Sequence, residues 1–356
     1  MTPQAALRST VGHARNAVAQ LDAVNIMEAC KGFGTDDDAL TDILCGRSKE
    51  QIARINEVYK KLYETSLLEQ VKDECSGDYK RFLVQMISDQ ATADADSLFK
   101  AMDGMGTTER VLSEIIVTNT NAELLQIKKR YEEKYGQPLI DRVNSEVGGD
   151  FRTFLVTLLR CERNETAAPD ARLAAEQAEA MHKAAKGWGC DEKVFIEILA
   201  KSSVAQIDLI QATYERTHSK SLAALIKSEM SGDLEWAMLL NLESRLDASA
   251  WLLRYAMEGM GTSEDIIARV MGGASKQETR MIHAQFDMKC AGLCVAHHAS
   301  RVLPLWWSWS RTCLGAPASL LADSSPHSCV FNRSRDAPEL LSGTLHCAAI
   351  FVVLRI

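Results

Sequence analysis

The ten cysteines include no CxxC pair, and six of them lie at or before Cys290, scattered through helical patterns. That spacing excludes a zinc ribbon and offers no disulfide framework. No stretch reaches the roughly 18–20 consecutive apolar residues of a membrane-spanning helix. The N-terminus lacks the apolar core of a signal peptide. The chain therefore reads as cytosolic with reduced thiols, and the sequons at Asn164 and Asn332 carry no weight. A basic field is missing too: 40 Lys and Arg stand against 48 Asp and Glu, a formal charge of -8. This excludes a nucleic-acid partner and direct electrostatic attraction to an acidic membrane. An anionic surface could be met only through an intervening cation. Ser/His/Asp groupings, P-loops, EF-hand loops and zinc patterns are absent, so no enzymatic activity is expected. β-branched runs of period two are absent as well, which points to an all-α protein.

What the sequence does have is self-similarity. Its 356 residues, 46% hydrophobic and 25% charged, suffice for two or three domains or one repeat array. Gly32-Phe33-Gly34-Thr35 recurs as Gly104-Met105-Gly106-Thr107, Gly187-Trp188-Gly189-Cys190 and Gly259-Met260-Gly261-Thr262, in steps of 72, 83 and 72 residues. The long middle step implies an insertion of eleven residues, assigned to the polar stretch from Cys161 to Ala171. Ser76-Gly77-Asp78 recurs with the same steps as Gly148-Gly149-Asp150 and Ser231-Gly232-Asp233. Ile52, Ile55 and Tyr59 map onto Leu124, Ile127 and Tyr131, and onto Ile207, Ile210 and Tyr214; intervals of three and four mark one apolar helix face. The fourth copy keeps Ile282 and Phe286. The tyrosine series is read as core packing.

Each repeat reads as about five short helices, and no single copy can bury its own apolar faces. In repeat 1 they fall before the Gly loop, after it, over 49–62, over 66–74 and from 79 onward. Thr35, Thr107 and Thr262, each followed by acidic residues, are the expected N-caps of the second helices, with Asp191 replacing the poor cap Cys190 in repeat 3.

Forty residues beyond Gly34, Gly106 and Gly189 stand Glu74, Glu146 and Glu229, each just before the Gly-Asp marker. Two helix–helix turns at the same end of a bundle would bring each loop and its Glu face to face. Calcium takes roughly six to eight hard oxygens. Glycines let a loop turn several carbonyls inward, because they accept positive φ. Three carbonyls and one bidentate carboxylate supply about five oxygens and leave about two positions for water or a lipid phosphate oxygen. Calcium would then be the cation between an acidic protein and an acidic surface. The middle residues Phe33, Met105, Trp188 and Met260 are large and apolar, and they read as shallow membrane anchors. Lys31 and Lys186 beside the loops either touch headgroups or stay solvated.

Lys31-Gly32-Phe33-Gly34-Thr35-Asp36, the paired Glu74 and Ser76-Gly77-Asp78 resemble the type II calcium site of the annexin family and the turn after it. The resemblance runs from about Leu21 to about Ala291. It implies an all-α array of four repeats of five helices, wound as a right-handed superhelical curved disc, with calcium-dependent binding to phosphatidylserine-type anionic phospholipid membranes. It also implies carbonyl ligands from Cys30, Gly32 and Gly34, from Met102, Gly104 and Gly106, and from Ala185, Gly187 and Gly189. The protein would be cytoplasmic, and peripheral on membranes when calcium is raised. The implied organisation is an N-terminal segment (1–20), repeat 1 (21–88), repeat 2 (93–160), a linker (161–175), repeat 3 (176–243), a partial repeat 4 (248–293) and a tail (294–356). The arginine typical of the second helix's end is kept as Arg47, but Asn119 and Ser202 replace it in repeats 2 and 3, which would weaken ion pairing there. A second functional reading is a cytoskeletal or structural member of the same fold; intact Glu74, Glu146 and Glu229 favour membrane binding.

The fourth repeat breaks. Arg301 stands where its Glu should be, and the pattern is gone by Cys294. Residues 294–356 contain no Lys, four of the seven prolines and the cluster Trp306, Trp307 and Trp309. Two readings compete: an interaction tail using its tryptophans, or translated intron or shifted-frame sequence, which the abrupt mid-repeat break favours. The tail is expected to be irregular and the fourth site defective.

Overall fold

The computed structural model describes residues 3–32, 34–187, 189–258 and 262–290, with side chains from residue 14 to residue 289. The expectations about Phe33, Trp188, Met260, Arg301 and the tail lie outside the described residues. Among those described, every regular element is an α-helix, as the lack of period-two runs predicts.

Repeat 1 comprises α1 (Pro3–Ala29), α2 (Asp37–Cys45), α3 (Lys49–Tyr63), α4 (Leu67–Glu74) and α5 (Gly77–Ile87). Repeat 2 comprises α6 (Gln90–Ala101), α7 (Glu109–Thr118), α8 (Asn121–Tyr135), α9 (Leu139–Glu146) and α10 (Gly149–Leu159). Repeat 3 comprises α11 (Ala171–Ala184), α12 (Glu192–Leu199), α13 (Val204–His218), α14 (Leu222–Glu229) and α15 (Gly232–Asn241). They are followed by α16 (Arg245–Met257), α17 (Glu264–Gly273) and α18 (Lys276–Cys290).

The third helix of each repeat shows why these segments fold as they do. Ser48 and Gln51 form a reciprocal capping box at the start of α3, and Thr120 and Glu123 do the same for α8, satisfying amide donors that a helix start leaves unpaired. The apolar face then turns inward: Tyr59, Tyr131 and Tyr214 are all buried, with Ile52, Ile55, Leu124, Ile127, Ile207 and Ile210 beside them. Ile282 and Phe286 of α18 are buried in the same way. The tyrosines are core, as expected.

The N-terminal segment is helical: α1 runs back through it to Pro3. Proline is well tolerated at a first helical position, and the Ala- and Leu-containing stretch after it has nothing to stop a helix. The caps of the second helices sit one residue later than the expected Thr35, Thr107 and Thr262. The N-cap positions are Asp36, Thr108 and Ser263, with Asp191 at the one anticipated for α12; of these four side chains, that of Asp36 accepts a capping bond, from Ala39 N, and the other three make none. One recurring hydrogen bond sets this register: Asp36 N to Ala29 O, Thr108 N to Ala101 O, Asp191 N to Ala184 O and Ser263 N to Ala256 O, at 2.8, 2.8, 3.0 and 2.8 Å. Each ties the residue after the Thr position back to the preceding helix, which releases Thr35 and Thr107 for other partners.

The helices form two compact units: the described residues up to 89 with those from 249 to 290, and those of 90–248. In the first, α5 packs against α17 at close range. A Cβ on Gly272 would meet Gln85 Cβ at 2.8 Å and the Phe82 carbonyl oxygen at 2.9 Å. Lys49 Nζ seals this contact by donating to the carbonyls of Gly272, Gln85 and Met86. In the second unit α7 packs against α15, with the Arg110 guanidinium 3.7 Å from the centre of the Trp236 ring.

Ion pairing at the ends of the second helices differs among repeats, as the sequence departures suggest. Arg47 donates to both carboxylate oxygens of buried Asp22 at 2.7 and 2.8 Å. Asn119 and Ser202 merely bond back to the carbonyls of Ile115 and Ile198. In repeat 2 the inserted segment also reaches this helix end: Arg163 donates to the carbonyls of Asn119 and Val117 at 3.3 and 3.4 Å. These bonds to main chain brace the end of α7 but are not the ion pair that Arg47 makes with Asp22.

Candidate metal centres

Three Gly-X-Gly loops share one backbone conformation. The first glycines, Gly32, Gly104 and Gly187, have φ of 104°, 108° and 115°, and the second, Gly34, Gly106 and Gly189, all have φ of 94°. L-residues with a Cβ avoid this region, so both glycines are required by the path of the chain. All six are exposed. No described group donates a hydrogen bond to the carbonyl oxygens of Cys30, Gly32 and Gly34, of Gly104 and Gly106, or of Ala185, Gly187 and Gly189. Neutral oxygens left free at an exposed loop suit a hard cation.

Glu74, Glu146 and Glu229 each end their helix, α4, α9 and α14. Two of the three are tied to their loops by the threonines released from capping. Thr107 Oγ1 donates to Glu146 Oε2 at 3.2 Å, and Thr35 Oγ1 donates to the Glu74 backbone carbonyl at 3.3 Å. The forty-residue spacing therefore does correspond to proximity in repeats 1 and 2. In repeat 3 Cys190 stands at the Thr position; burial pushes its thiol up to about 11, with Glu192 and Glu229 adding to the effect.

The residue four before each Glu completes the picture and differs in every repeat. Gln70 Nε2 donates to Glu74 Oε1 at 3.3 Å. Arg142 pairs with Glu146 Oε1 at 3.0 Å and also donates to the Met102 carbonyl. Leu225 is buried, and Glu229 Oε1 accepts from Ser228 Oγ at 3.1 Å. Sequence reasoning missed Gln70 and Arg142. The ordinary rule that residues four apart share a helix face would have found them.

Cys30 contributes no thiolate. Burial, then Glu74 and Asp37, push its thiol up to about 11, so at neutral pH its backbone carbonyl is the hard oxygen it offers. No cluster of three or more His, Cys, Asp or Glu side chains that would hold a metal exists among the described residues. One carboxylate per loop, supplemented by backbone oxygen, is the donor set available.

Of the four apolar tips, Met105 is described, and it is fully exposed. Lys31 is held by Glu28, three residues before it. Glu146 and Glu229 line one open acidic cleft, together with Glu109, Asp150, Glu192 and Asp233. The acids paired with the second and third loops therefore border the same cleft. No described helix is long and apolar enough to cross a membrane.

Comparison with known proteins agrees with this arrangement. The family model described as Annexin matches residues 21–86, 93–158 and 176–240. Annexin A13 of Mus musculus is 34% identical over 275 residues, covering 76% of this chain and 87% of that protein. Among solved structures, annexin III superposes with a TM-score of 0.69 at 32% identity, covering 76% of this chain and 85% of the other. A calcium-bound annexin, annexin (Sm)1, superposes with a TM-score of 0.65 at 25% identity, covering 77% and 83%. The three matched segments, the shared loop geometry and the relatives agree: the chain belongs to the annexin family, whose members are in general calcium-dependent phospholipid-binding proteins.

Proposed function

We propose that the chain binds calcium at its first three Gly-X-Gly loops and, through it, the phosphates of anionic, phosphatidylserine-type membranes. The ligands would be the carbonyls of Cys30, Gly32 and Gly34 with Glu74, those of Met102, Gly104 and Gly106 with Glu146, and those of Ala185, Gly187 and Gly189 with Glu229. Calcium, when bound, supplies positive charge with coordination positions left over for a lipid oxygen.

The observation that carries this reading is the repetition of one exposed loop conformation, φ of 104°, 108° and 115° at the first glycine and 94° at the second, beside a single Glu. A turn needed only to join two helices does not require free carbonyls and an adjacent carboxylate three times over. Met105 projects fully into solvent and would enter the headgroup layer; Phe33 and Trp188 occupy the same position in their loops. With a net charge of -8 the protein needs the metal to approach such a surface. The calcium-bound annexin (Sm)1 structure supports the choice of metal. The repeats would occupy residues 21–88, 93–160, 176–243 and, in part, 248–293. In a cell the protein would be cytoplasmic, and peripheral on membranes when calcium rises.

The test is co-sedimentation with phosphatidylserine vesicles, with calcium and with chelator, for the native chain and for Glu74→Gln/Glu146→Gln/Glu229→Gln. Pelleting is expected only for the native chain with calcium. Equal pelleting in chelator refutes metal bridging, and unchanged pelleting by the triple variant refutes the ligand assignment.

A further inference from the structure

The three loops are alike in backbone, and the neighbour four residues before the Glu differs in each. Four residues before the Glu stand Gln70, Arg142 and Leu225, on the helix face that carries the Glu. In repeat 1 that neighbour is a neutral amide, 3.3 Å from Glu74 Oε1. In repeat 3 it is a buried aliphatic chain. In repeat 2 it is a permanent cation, and its guanidinium touches two of the atoms assigned to calcium: the Met102 carbonyl oxygen and, at 3.0 Å, Glu146 Oε1.

We infer that Arg142 is a built-in cation that holds the second calcium site closed, so that this site fills only when the guanidinium is displaced. The inference rests on the calcium reading of the loops. Glu146 has both carboxylate oxygens engaged, Oε1 by Arg142 and Oε2 by Thr107 at 3.2 Å. Met102 O is the one carbonyl among the nine assigned to the metal that receives a described hydrogen bond. One positive group therefore satisfies the side-chain and main-chain ligands together, which is the work calcium would do.

The latch is also built to be released. Arg142 keeps 27% of its side chain exposed, so it can swing toward solvent. Its Nε is buried without a hydrogen-bond partner, an expense that leaving the site would remove. Arg142 and calcium compete for the same oxygens, so the ion must repay the lost pairing. Loops 1 and 3 have the uncharged Gln70 and Leu225 at that place; the lysines beside them, Lys31 and Lys186, are exposed, and Lys31 is held by Glu28. Calcium is thus expected to bind loops 1 and 3 first and the second loop last. Once displaced, the guanidinium stands beside the loop with a fork suited to phosphate oxygens, so a phosphate-bearing surface would favour opening.

The experiment is calorimetric calcium titration of the full chain without lipid, on native protein, Arg142→Gln and Gln70→Arg. The native isotherm is expected to resolve two tighter sites and one weaker site. Arg142→Gln gives repeat 2 the neighbour of repeat 1 and is expected to tighten the weak site about tenfold, equivalent to about 1.4 kcal/mol. Gln70→Arg, on a different helix, is expected to weaken one of the tight sites by a similar factor. In parallel, the Arg142 side-chain Nε–H resonance is expected to shift over the weak phase of the titration and not before. Three equal sites in the native chain, with both variants unchanged, overturn the latch and leave the ligand assignment standing. Native-like calcium binding by Glu146→Gln overturns the ligand assignment itself.

Discussion

Thr107 Oγ1 donates to Glu146 Oε2 at 3.2 Å, while its counterpart Thr35 reaches only the main-chain carbonyl of Glu74, at 3.3 Å. The first bond orients a carboxylate and the second anchors a helix end. Thr107→Val is therefore expected to weaken calcium at the second loop about fivefold, the worth of one hydrogen bond of about 1 kcal/mol. Thr35→Val is expected to change affinity less and to act mainly on stability. Calcium titration of the two variants beside the native chain distinguishes them.

Gly106 has φ of 94°, and a Cβ built on it meets nothing within 4 Å. The cost of Gly106→Ala is therefore conformational rather than steric, of the order of 1–3 kcal/mol. It falls on an exposed loop, so helix content by circular dichroism should be unchanged. The calcium affinity of that loop should drop, because relaxing the strain moves the carbonyls. An unaltered affinity would show that this conformation is not what positions the ligands.

Arg47 and Asp22 form a two-point ion pair in which the Asp22 side chain is 5% and that of Arg47 29% exposed. Arg47→Ala leaves a buried carboxylate alone and is expected to cost about 3 kcal/mol, the low end for broken buried pairs. Asp22→Asn leaves a cation that still reaches water and should cost less. Chemical denaturation followed at 222 nm measures both.

Asp94 is buried, and desolvation raises its carboxyl to about 7. The Gln90 amide at 2.9 Å and the charge of Arg245 oppose the shift, while Glu114 and Glu123 add to it. A folded-state value above the unfolded one means that the folded state binds the proton more tightly. The associated stability is fully present below the unfolded value near 4 and is lost as pH rises through 7. Asp94→Asn, which cannot ionise, is therefore expected to gain stability relative to the native chain between pH 4 and pH 8. Melting temperatures of the two proteins across that range test the sign.

Arg163→Ala is expected to destabilise residues 90–248 by about 1–3 kcal/mol, because the backbone carbonyls of Val117 and Asn119 lose their donor. Hydrogen exchange of the amides that follow α7 provides the local readout.

The helices were legible in the sequence because their signals are short-range and repeated. Ile52, Ile55 and Tyr59 repeat at the spacing of a helix face, and copies at steps of 72 and 83 residues remove the ambiguity a single segment would carry. The loops were legible for the same reason, since paired glycines point directly to backbone conformation. The caps were misplaced by one residue. Thr35 and Asp36 are both good capping residues, and the choice between them is made by a hydrogen bond from Asp36 N to the preceding helix, which local propensity does not contain. The continuous α1 was missed because the array's register begins only at Leu21. Arg163 could not be read as a partner of α7, because the contact spans 46 residues and lies in an insertion with no counterpart elsewhere. Arg142 was hidden differently: its spacing from Glu146 was visible, but in sequence an arginine four residues before a glutamate is an ordinary surface pair. Its reach to the Met102 carbonyl is what separates it from one.

The hydrogen bond that closes the Gly loop is present in all four copies, from Asp36, Thr108, Asp191 and Ser263. Donor and acceptor are both main-chain atoms, so the bond is indifferent to which side chains stand between them. Repeat 3 shows the consequence: Cys190 has replaced the threonine of the first two copies, and Asp191 N still reaches Ala184 O at 3.0 Å. Copies can therefore diverge in what a loop displays while the same closure ties the first helix to the second.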